Sequence, residues 1–292
     1  MLKTVFSERL SEKQLHTTPC VLVLGGFDGL HEGHKTLLEK AKTLALPVGV
    51  MTIVGGKDET ALFTLTERRQ SFSSFGADFC FAMSFEEIRS LSPVEFISLI
   101  QKEFMISALV CGEDFRFGYG AKGKAEDLKT LVSVPVFIEP IKVMFGEKIG
   151  TTAIKKALAC GDVSLAKTLL GEPFFLTGEV VKDRGVGRTM GFPTANILYP
   201  QDKYPLKKGV YETEVCVEGI SYRAITNYGA RPTFQDEKTV TESYLDGFCG
   251  DLYGKTLTVR FVRFLREIKK FSSAEELKTQ LLQDVRRIRE HD

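Results

Sequence analysis

The first half of the sequence alternates short apolar runs with stretches of helical periodicity. VLVLGGF, LPVGVMTIV and ISALVCG have the length and composition of buried strands, whereas KTLLEKAKTLA and PVEFISLIQKEF between them have the spacing of amphipathic helices. Parallel strands need crossover connections of helical length, so this alternation predicts βαβ units around a parallel sheet.

The pattern changes after Gly171. YETEVCVEG and LTVRFVRFLRE alternate apolar and polar residues, as half-buried antiparallel strands do, and short strands of this kind predict a compact β-barrel. SSAEELKTQLLQDVRRIREHD then predicts an amphipathic helix, with Ser272 and Glu275 as its capping box. We therefore expect two domains, residues 1–170 and residues 171–292.

Composition limits the classes of partner. The 292 residues carry a formal net charge of +1, which gives no overall field for nucleic acid or an anionic membrane, and no apolar run approaches the length of a bilayer span. The six cysteines are far apart and form no CxxC pair, which disfavours a structural zinc site and indicates a reduced, cytoplasmic protein. The oligomeric state is left open.

Two of the four histidines lie three residues apart in GGFDGLHEGH, between an apolar strand and a helix start. In a parallel α/β sheet, ligands bind at the carboxyl ends of strands, and a helix start offers free backbone N–H groups to phosphate. His31 and His34 would project to the same side and donate hydrogen bonds to a phosphate in the transition state. A tight turn with an incidental histidine is the alternative, which the spacing disfavours.

FDGLHEGH resembles the HxGH signature of the nucleotidyltransferase superfamily. GEDFRFG and GFPTAN further along resemble the prokaryotic bifunctional riboflavin kinase/FMN adenylyltransferase (FAD synthetase) family, and LSPVEFI, LLGEPFFLTGEV, GVYETEV, ARPTF, GDLYGK and FLREIKKFSSAEEL follow in that family's order. The resemblance implies a Rossmann-like α/β nucleotidyltransferase domain, followed by an antiparallel β-barrel riboflavin kinase domain with a C-terminal helix.

For the first domain, the resemblance implies adenylyl transfer from ATP to the phosphate of FMN, which yields FAD. His31 and His34 would stabilise the charged α-phosphate, and Gly26, Phe27 and Asp28 would shape the nucleotide pocket. Mg²⁺ would offset the charge of the leaving pyrophosphate.

The GEDFRFG segment is expected to contact the flavin through Asp114, Phe115, Arg116 and Phe117. An arginine between two aromatic rings suits a planar ring and a phosphate. The alternative is a strand end with two core phenylalanines, which the sequence leaves equally open.

Two departures from the family concern the nucleotide site. The family's S-T-x-x-R motif corresponds to Thr151, Thr152 and Lys155, which keep the charge that contacts the triphosphate but lose the guanidinium fork. The family's FDPHP segment is replaced by IVGGKDE at residues 53–59, where Lys57 is the remaining candidate for a phosphate contact. These departures keep open a monofunctional riboflavin kinase with a degenerate adenylyltransferase half.

For the second domain, the resemblance implies phosphoryl transfer from ATP to the ribityl hydroxyl of riboflavin. The loop DRGVGRTMG would cover the phosphates with the backbone of Gly185 and Gly187 and with Arg188. Thr194 and Asn196 of PTAN would offer hard oxygen ligands to Mg²⁺.

The resemblance makes Glu242 the general base that accepts the hydroxyl proton, and places Tyr253 of GDLYGK beside the flavin. Tyr244 stands where the family usually has a histidine. The expected partners are the small molecules riboflavin, FMN and ATP. A flavin-binding protein without turnover is a third hypothesis, which the presence of both a Mg²⁺ site and a base disfavours.

Overall fold

The computed structural model describes residues 5–9, 18–56, 60–144, 146–182, 191–230 and 239–290. The chain divides into two compact units, Met1–Thr151 and Thr152–Asp292, according to which residues contact one another. This division falls about twenty residues before the boundary expected from the sequence, because residues 152–170 make their contacts within the second unit.

The first unit alternates strands and helices, as the apolar runs predict. Its elements are β1 (Val5–Arg9), β2 (Cys20–Leu24), α1 (Glu32–Lys42), β3 (Val48–Val54), α2 (Leu65–Ser74), β4 (Phe79–Ser84), α3 (Phe85–Ile88), α4 (Pro93–Glu103), β5 (Ile106–Gly112), β6 (Arg116–Phe117), β7 (Gly123–Lys124), α5 (Leu128–Leu131), β8 (Val136–Glu139), β9 (Val143–Met144) and β10 (Glu147–Lys148).

The main sheet of this unit has the order β1-β4-β3-β2-β5-β8. β4, β3, β2, β5 and β8 are parallel to their neighbours, and β1 is an antiparallel edge strand. The chain moves outward from β2 to β3 and β4, and then crosses to β5 on the other side of β2. Ligands of such sheets bind where the strand order reverses, which here is at the carboxyl ends of β2 and β5.

Both faces of the sheet are buried at its central strand, β2. Side chains alternate along β2, so that Cys20, Leu22 and Leu24 pack in one hydrophobic cluster while Val21 and Val23 pack in another. A strand buried on both faces reads as a continuous apolar run, which is why CVLVL shows no polar alternation.

The second unit starts with helices and continues as strands. Its elements are α6 (Thr151–Cys160), α7 (Val163–Leu170), β11 (Phe175–Val181), β12 (Thr194–Leu198), β13 (Gly209–Val217), β14 (Ile220–Ala230), β15 (Thr239–Leu245), β16 (Thr256–Arg266) and α8 (Ala274–Arg289). Thr151, the first residue of α6, is also the last residue of the first unit.

The strands of this unit form a closed antiparallel barrel in the order β11-β12-β15-β14-β13-β16. The interior includes a chain of buried hydroxyls: Thr213 Oγ1 lies 2.6 Å from Thr226 Oγ1, which lies 2.8 Å from Ser243 Oγ. Each hydroxyl satisfies the next, so these polar side chains are tolerated in the core. The predicted barrel and its closing helix are confirmed.

α8 packs on the outer face of the barrel. Its N-cap is Ser273, whose side chain accepts from the backbone N–H of Glu276, so the predicted capping pair of Ser272 and Glu275 was wrong by one residue. Ser272 contributes differently, because its N–H and hydroxyl both donate to the Glu276 carboxylate.

A buried ion pair ties α8 to β16. Nη2 of Arg266 lies 2.7 Å from Oδ2 of Asp284, which is fully buried, and Gln280 also donates to this carboxylate. At the far end of the helix, the more exposed Arg289 pairs with Asp246 at 2.7 Å. Within the described part of the chain, no helix has both the length and the apolar composition that crossing a bilayer requires.

Candidate active sites

The HxGH loop joins β2 to α1 through an unusual backbone conformation. Phe27 has a φ of 40°, in the left-handed region that residues with side chains seldom adopt, while its ring is buried against Phe72 and the His34 ring. A Cβ at Gly25 would lie 2.5 Å from the Phe27 ring. Strain of this kind is maintained by surrounding contacts and is common at functional sites.

The two histidines are adjacent and hold each other. His31 is the N-cap of α1, and its Nδ1 accepts from the backbone N–H of His34 at 3.2 Å. The rings stack with centroids 3.6 Å apart. A Cβ at Gly33 would lie 3.2 Å from the His31 ring, so the glycine of HxGH gives that ring its space.

Hydrogen bonds fix the tautomers of both rings. Nδ1 of His34 lies 2.7 Å from the Gly29 carbonyl, which only accepts, so this nitrogen carries the proton and Nε2 of His34 keeps its lone pair. Nδ1 of His31 accepts a hydrogen bond, so the proton of its neutral ring is on Nε2.

Both rings are neutral at physiological pH. Burial lowers the pKa of His31 from 6.5 to about 2, with further lowering by His34 and Lys148. Burial also lowers the pKa of His34 to about 4, although the hydrogen bond to Gly29 and the charge of Asp114 act in the opposite direction. The site therefore presents one imidazole N–H, at Nε2 of His31, to an incoming anion, because the N–H of His34 is bound to the Gly29 carbonyl.

Arg68 holds the loop from beneath, a role that the sequence did not indicate. Its buried guanidinium donates to Oδ1 of Asp28 at 2.9 Å and to the Ile53 carbonyl at 2.8 Å. It also donates to Thr52 Oγ1, and that hydroxyl lies 3.1 Å from the carbonyl oxygens of Gly26 and Phe27. Thus the guanidinium holds the predicted pocket residue Asp28 directly, and it holds the backbone of Gly26 and Phe27 through the Thr52 hydroxyl.

Two lysines from the β9–β10 region lie near the histidines. Lys142 Nζ pairs with Glu32 at 3.0 Å, and the Cβ of Lys142 lies beside Gly33. The charge of Lys148 lowers the pKa of both histidines, and Lys148 also forms an ion pair with Asp114. These cations come from a segment about 110 residues after the HxGH loop, so no local pattern links them to it.

The GEDFRFG segment is placed at the end of β5, but its aromatic rings point into the core. Phe115 and Phe117 are 9% and 5% exposed and stack on each other with centroids 5.6 Å apart. Burial of these rings favours the alternative of two core phenylalanines, and their contact with flavin stays a prediction. Asp114 and Arg116 remain exposed, and their contact with flavin stays a prediction.

The predicted triphosphate contacts lie on α6. Thr151 and Thr152 are in its first turn, and Lys155 is one turn further, with Nζ 5.2 Å from the centre of the Tyr204 ring. Their role in ATP binding stays a prediction. Lys57, the other candidate for a phosphate contact, lies outside the described residues.

The barrel brings three polar residues into one row. In the strand register, Asn196 of β12 is opposite Glu242 of β15, and Glu242 is opposite Asn227 of β14. Thr194 is opposite Tyr244 in the next row of the same face. Glu242, the predicted general base, and the two predicted metal ligands are some fifty residues apart in the sequence, and they share one face of the barrel.

A cavity of about 280 Å³ opens on this face, between the barrel and α8. It is lined by apolar and aromatic side chains together with a few polar ones, as ligand sites generally are. The lining residues are Phe192, Thr194, Val210, Ile225, Asn227, Glu242, Tyr244, Arg266, Ile268, Lys269, Phe271, Leu277 and Leu281. Glu242 and Thr194 are among them, and their roles stay predictions, whereas Asn227 was not among the residues expected from the sequence.

The row contains two buried carbonyl oxygens, Oδ1 of Asn196 and Oδ1 of Asn227, that have no hydrogen-bond partner in the part of the chain that the structure describes. Asn196 is 3% exposed, and its amide nitrogen lies 3.5 Å from Thr194 Oγ1. The carboxamide oxygen of Asn196 and the hydroxyl of Thr194 are hard oxygen ligands of the kind that Mg²⁺ accepts, so these residues fit the proposed metal.

The remaining candidates of the second unit are Tyr253 and three residues of the predicted phosphate loop. Tyr253 is 38% exposed on the segment between β15 and β16 and does not line the cavity. Gly185, Gly187 and Arg188 lie outside the described residues. Their roles stay predictions.

Comparison with known proteins agrees with this two-part organisation. Residues 13–150 match the family model described as FAD synthetase, and residues 170–291 match the model described as riboflavin kinase. Curated relatives described as bifunctional riboflavin kinase/FMN adenylyltransferase come from Pseudomonas fluorescens (35% identical, covering 91% of each chain), Escherichia coli K12 (34%, covering 91% of this chain and 90% of the relative) and Bacillus subtilis (30%, covering 90% of each).

A solved structure titled as a macrolide-efflux protein from Streptococcus pneumoniae is also similar. It has a TM-score of 0.83 and 32% sequence identity, and the match covers 94% of this chain and 95% of that chain. Its title differs from the descriptions of the two family models and of the three curated relatives, which agree with one another. On the two models, matched in order, and on relatives that align over nine-tenths of their length, the chain belongs to the bifunctional riboflavin kinase/FMN adenylyltransferase family.

Proposed function

We propose that this chain phosphorylates riboflavin to FMN in its second unit and adenylylates FMN to FAD in its first unit, with ATP as the co-substrate of both steps. The observation that carries the proposal is that each unit holds its own polar site: the HxGH histidine pair at the end of β2, and the row of Asn196, Glu242 and Asn227 beside the barrel cavity.

In the first unit, the work is the stabilisation of negative charge on the α-phosphate of ATP while the FMN phosphate attacks it. His31 carries its proton on Nε2 and is a ready donor to a phosphate oxygen. His34 becomes a second donor when its Nε2 takes up a proton, which the approach of negative charge favours. Arg68 keeps the loop in place through Asp28, so the donors are positioned before the reaction.

In the second unit, Glu242 accepts the proton of the ribityl hydroxyl as its oxygen attacks the γ-phosphate of ATP. Thr194 and Asn196 are the residues that would hold Mg²⁺, which when bound neutralises charge on the phosphates. The apolar walls of the cavity, such as Phe192 and Leu281, suit the flavin ring. The cytoplasmic location expected from the cysteine pattern stays a prediction.

A monofunctional riboflavin kinase is the second candidate. The observation that favours it is the sequence IVGGKDE at residues 53–59, which contains neither the histidine nor the proline of the family's FDPHP segment. Lys155 in place of arginine also favours the monofunctional kinase, because lysine cannot make the bidentate contact with phosphate.

Product analysis separates the two candidates. The pure protein is incubated with ATP, Mg²⁺ and either riboflavin or FMN, and the flavins are resolved by liquid chromatography. The bifunctional proposal expects FAD in both mixtures. FMN from riboflavin, with no FAD in either mixture, would establish the monofunctional kinase, and the absence of any product would contradict both activities.

A further inference from the structure

Asn227 is a polar residue of the barrel cavity for which the chemistry proposed above has no use. It lies in β14, directly opposite Glu242 of β15, and both side chains line the cavity. Glu242 thus has a carboxamide on each side, Asn196 on one neighbouring strand and Asn227 on the other. Of the two, Asn227 is the one that lines the cavity.

The carboxamide of Asn227 is satisfied on one side only. Its Nδ2 lies 3.5 Å from Oε2 of Glu242, within reach of a long hydrogen bond. Its Oδ1 is buried and has no partner among the described residues. A buried acceptor without a donor is unfavourable, so this oxygen is expected to meet a donor that enters the cavity with a ligand.

The other walls of the cavity limit what that donor is. Phe192, Val210, Ile225 and Leu281 offer apolar surface, which suits a flat ring but gives no acceptor. Asn227 and Glu242 are opposite each other in the strand register and both line the cavity, so a ligand that carries hydroxyl groups on a flexible chain can donate to both residues. A polyol attached to an apolar ring has this combination of properties.

We propose that Oδ1 of Asn227 accepts a hydrogen bond from a hydroxyl of the ribityl chain of riboflavin, while its Nδ2 holds Oε2 of Glu242 in place. Asn227 is then a substrate-binding residue that selects the polyol part of the flavin, and a positioning residue for Glu242. This inference rests on the proposed kinase function and names a determinant of its substrate specificity.

The test compares two flavins that differ only in the chain. Riboflavin carries the ribityl group, whereas lumiflavin carries a methyl group at the same ring position. For the full chain and for Asn227→Ala, the KM for riboflavin and the inhibition constant of lumiflavin are measured from FMN formation, and both flavins are titrated directly by fluorescence. Ser221→Ala is the matched control, because Ser221 is exposed on the same strand and away from the cavity.

The expected result is that Asn227→Ala lowers the affinity for riboflavin about tenfold and the affinity for lumiflavin by less than twofold, because one hydrogen bond to the ribityl chain is lost. An equal effect on both flavins, or no effect on either, overturns the inference. If Asn227→Ala does not fold, Asn227→Asp decides: it keeps acceptor oxygens, so its riboflavin affinity should stay within about twofold while turnover falls, since Glu242 loses a donor and gains a like charge. Loss of riboflavin affinity in a folded Asn227→Asp contradicts the inference.

Failure of the proposed function gives a different result. If the unaltered chain forms no FMN, the kinase proposal is wrong, and the direct titrations still decide whether Asn227 discriminates the two flavins. If the unaltered chain does not bind riboflavin, both the kinase proposal and the inference are wrong.

Discussion

The two units prepare their sites with opposite kinds of polar atom. The first unit supplies donors: the Nε2–H of His31, whose tautomer is fixed by the backbone N–H of His34, and Nε2 of His34, which becomes a donor when it takes up a proton. The second unit supplies acceptors: the carboxylate of Glu242 and two carboxamide oxygens without partners. A site of donors suits a negatively charged phosphate that is being transferred. A site of acceptors suits a metal cation and the proton of a hydroxyl group. The sign of the charge that each reaction builds up can thus be inferred from whether its site offers hydrogen-bond donors or acceptors.

The largest expected effect tests the acceptor site. Glu242→Gln keeps the size of the side chain and removes the group that takes the proton. Riboflavin phosphorylation should fall about 10²–10⁴-fold, the usual contribution of a general base. FAD formation from supplied FMN should be unchanged, as chromatography of both reactions would show. Equal loss of both activities would mean that the units are not independent in chemistry.

The ion pair beneath the cavity gives the next effect. Arg266→Met leaves the fully buried Asp284 without its cation, which should lower the free energy of unfolding by about 3–5 kcal/mol. Arg289→Met is the control, because Arg289 is exposed in its pair with Asp246 at the far end of α8, so its loss should change the free energy of unfolding much less. Urea titration followed by circular dichroism measures the free energy of unfolding of both variants. Similar losses of stability in the two would contradict this explanation of how α8 is held.

The donor site is tested by His31→Ser. Serine is a good N-cap, so the start of α1 is kept while the imidazole is removed. FAD formation from FMN should fall about 10²–10³-fold, the effect of losing one donor to a developing charge. Phosphorylation of riboflavin serves as the internal control and should be retained; an undiminished rate of FAD formation would remove His31 from the chemistry.

The smallest effect concerns pH. Burial lowers the pKa of His31 in the folded chain to about 2 from its ordinary 6.5, so below pH 6.5 the unfolded chain binds a proton that the folded chain does not. The contribution to stability is complete above pH 6.5 and is lost as the pH falls below it, by about 2 kcal/mol at pH 5.

The same His31→Ser variant provides the comparison. Between pH 7.5 and pH 5, it should lose less stability than the unaltered chain when both are unfolded in urea. If both chains have the same pH dependence, the histidine pair is not held neutral by burial, and the account of the donor site fails.

The sequence predicted the features that repeat locally. Alternation of strands and helices, and then of polar and apolar residues, is a property of neighbouring residues, so both architectures and the HxGH loop could be inferred. The helix cap at Ser273 was missed by one residue because Ser272 and Ser273 are equally good caps, and side-chain bonding decides between them.

The features that the sequence did not reveal depend on contacts between distant residues. Arg68 lies 40 residues from Asp28, and Asn227 lies 15 residues from Glu242, so only strand register and loop packing bring them together. Phe115 and Phe117 were ambiguous for another reason, since an aromatic side chain after a strand packs equally well inside or against a ligand. Their placement in the core depends on partners such as Phe96.

The row of Asn196, Glu242 and Asn227 has a consequence for how these strands tolerate insertions and deletions. Side chains alternate between the two faces of a strand, so loss of a single residue within β15 would turn Glu242 toward the hydroxyl-lined interior and bring Thr241 or Ser243 to the cavity. Loss of two residues would preserve the alternation and merely shift the row. Parity, more than length, is therefore the constraint on this part of the chain, and changes of strand length that keep the enzyme active should come in pairs.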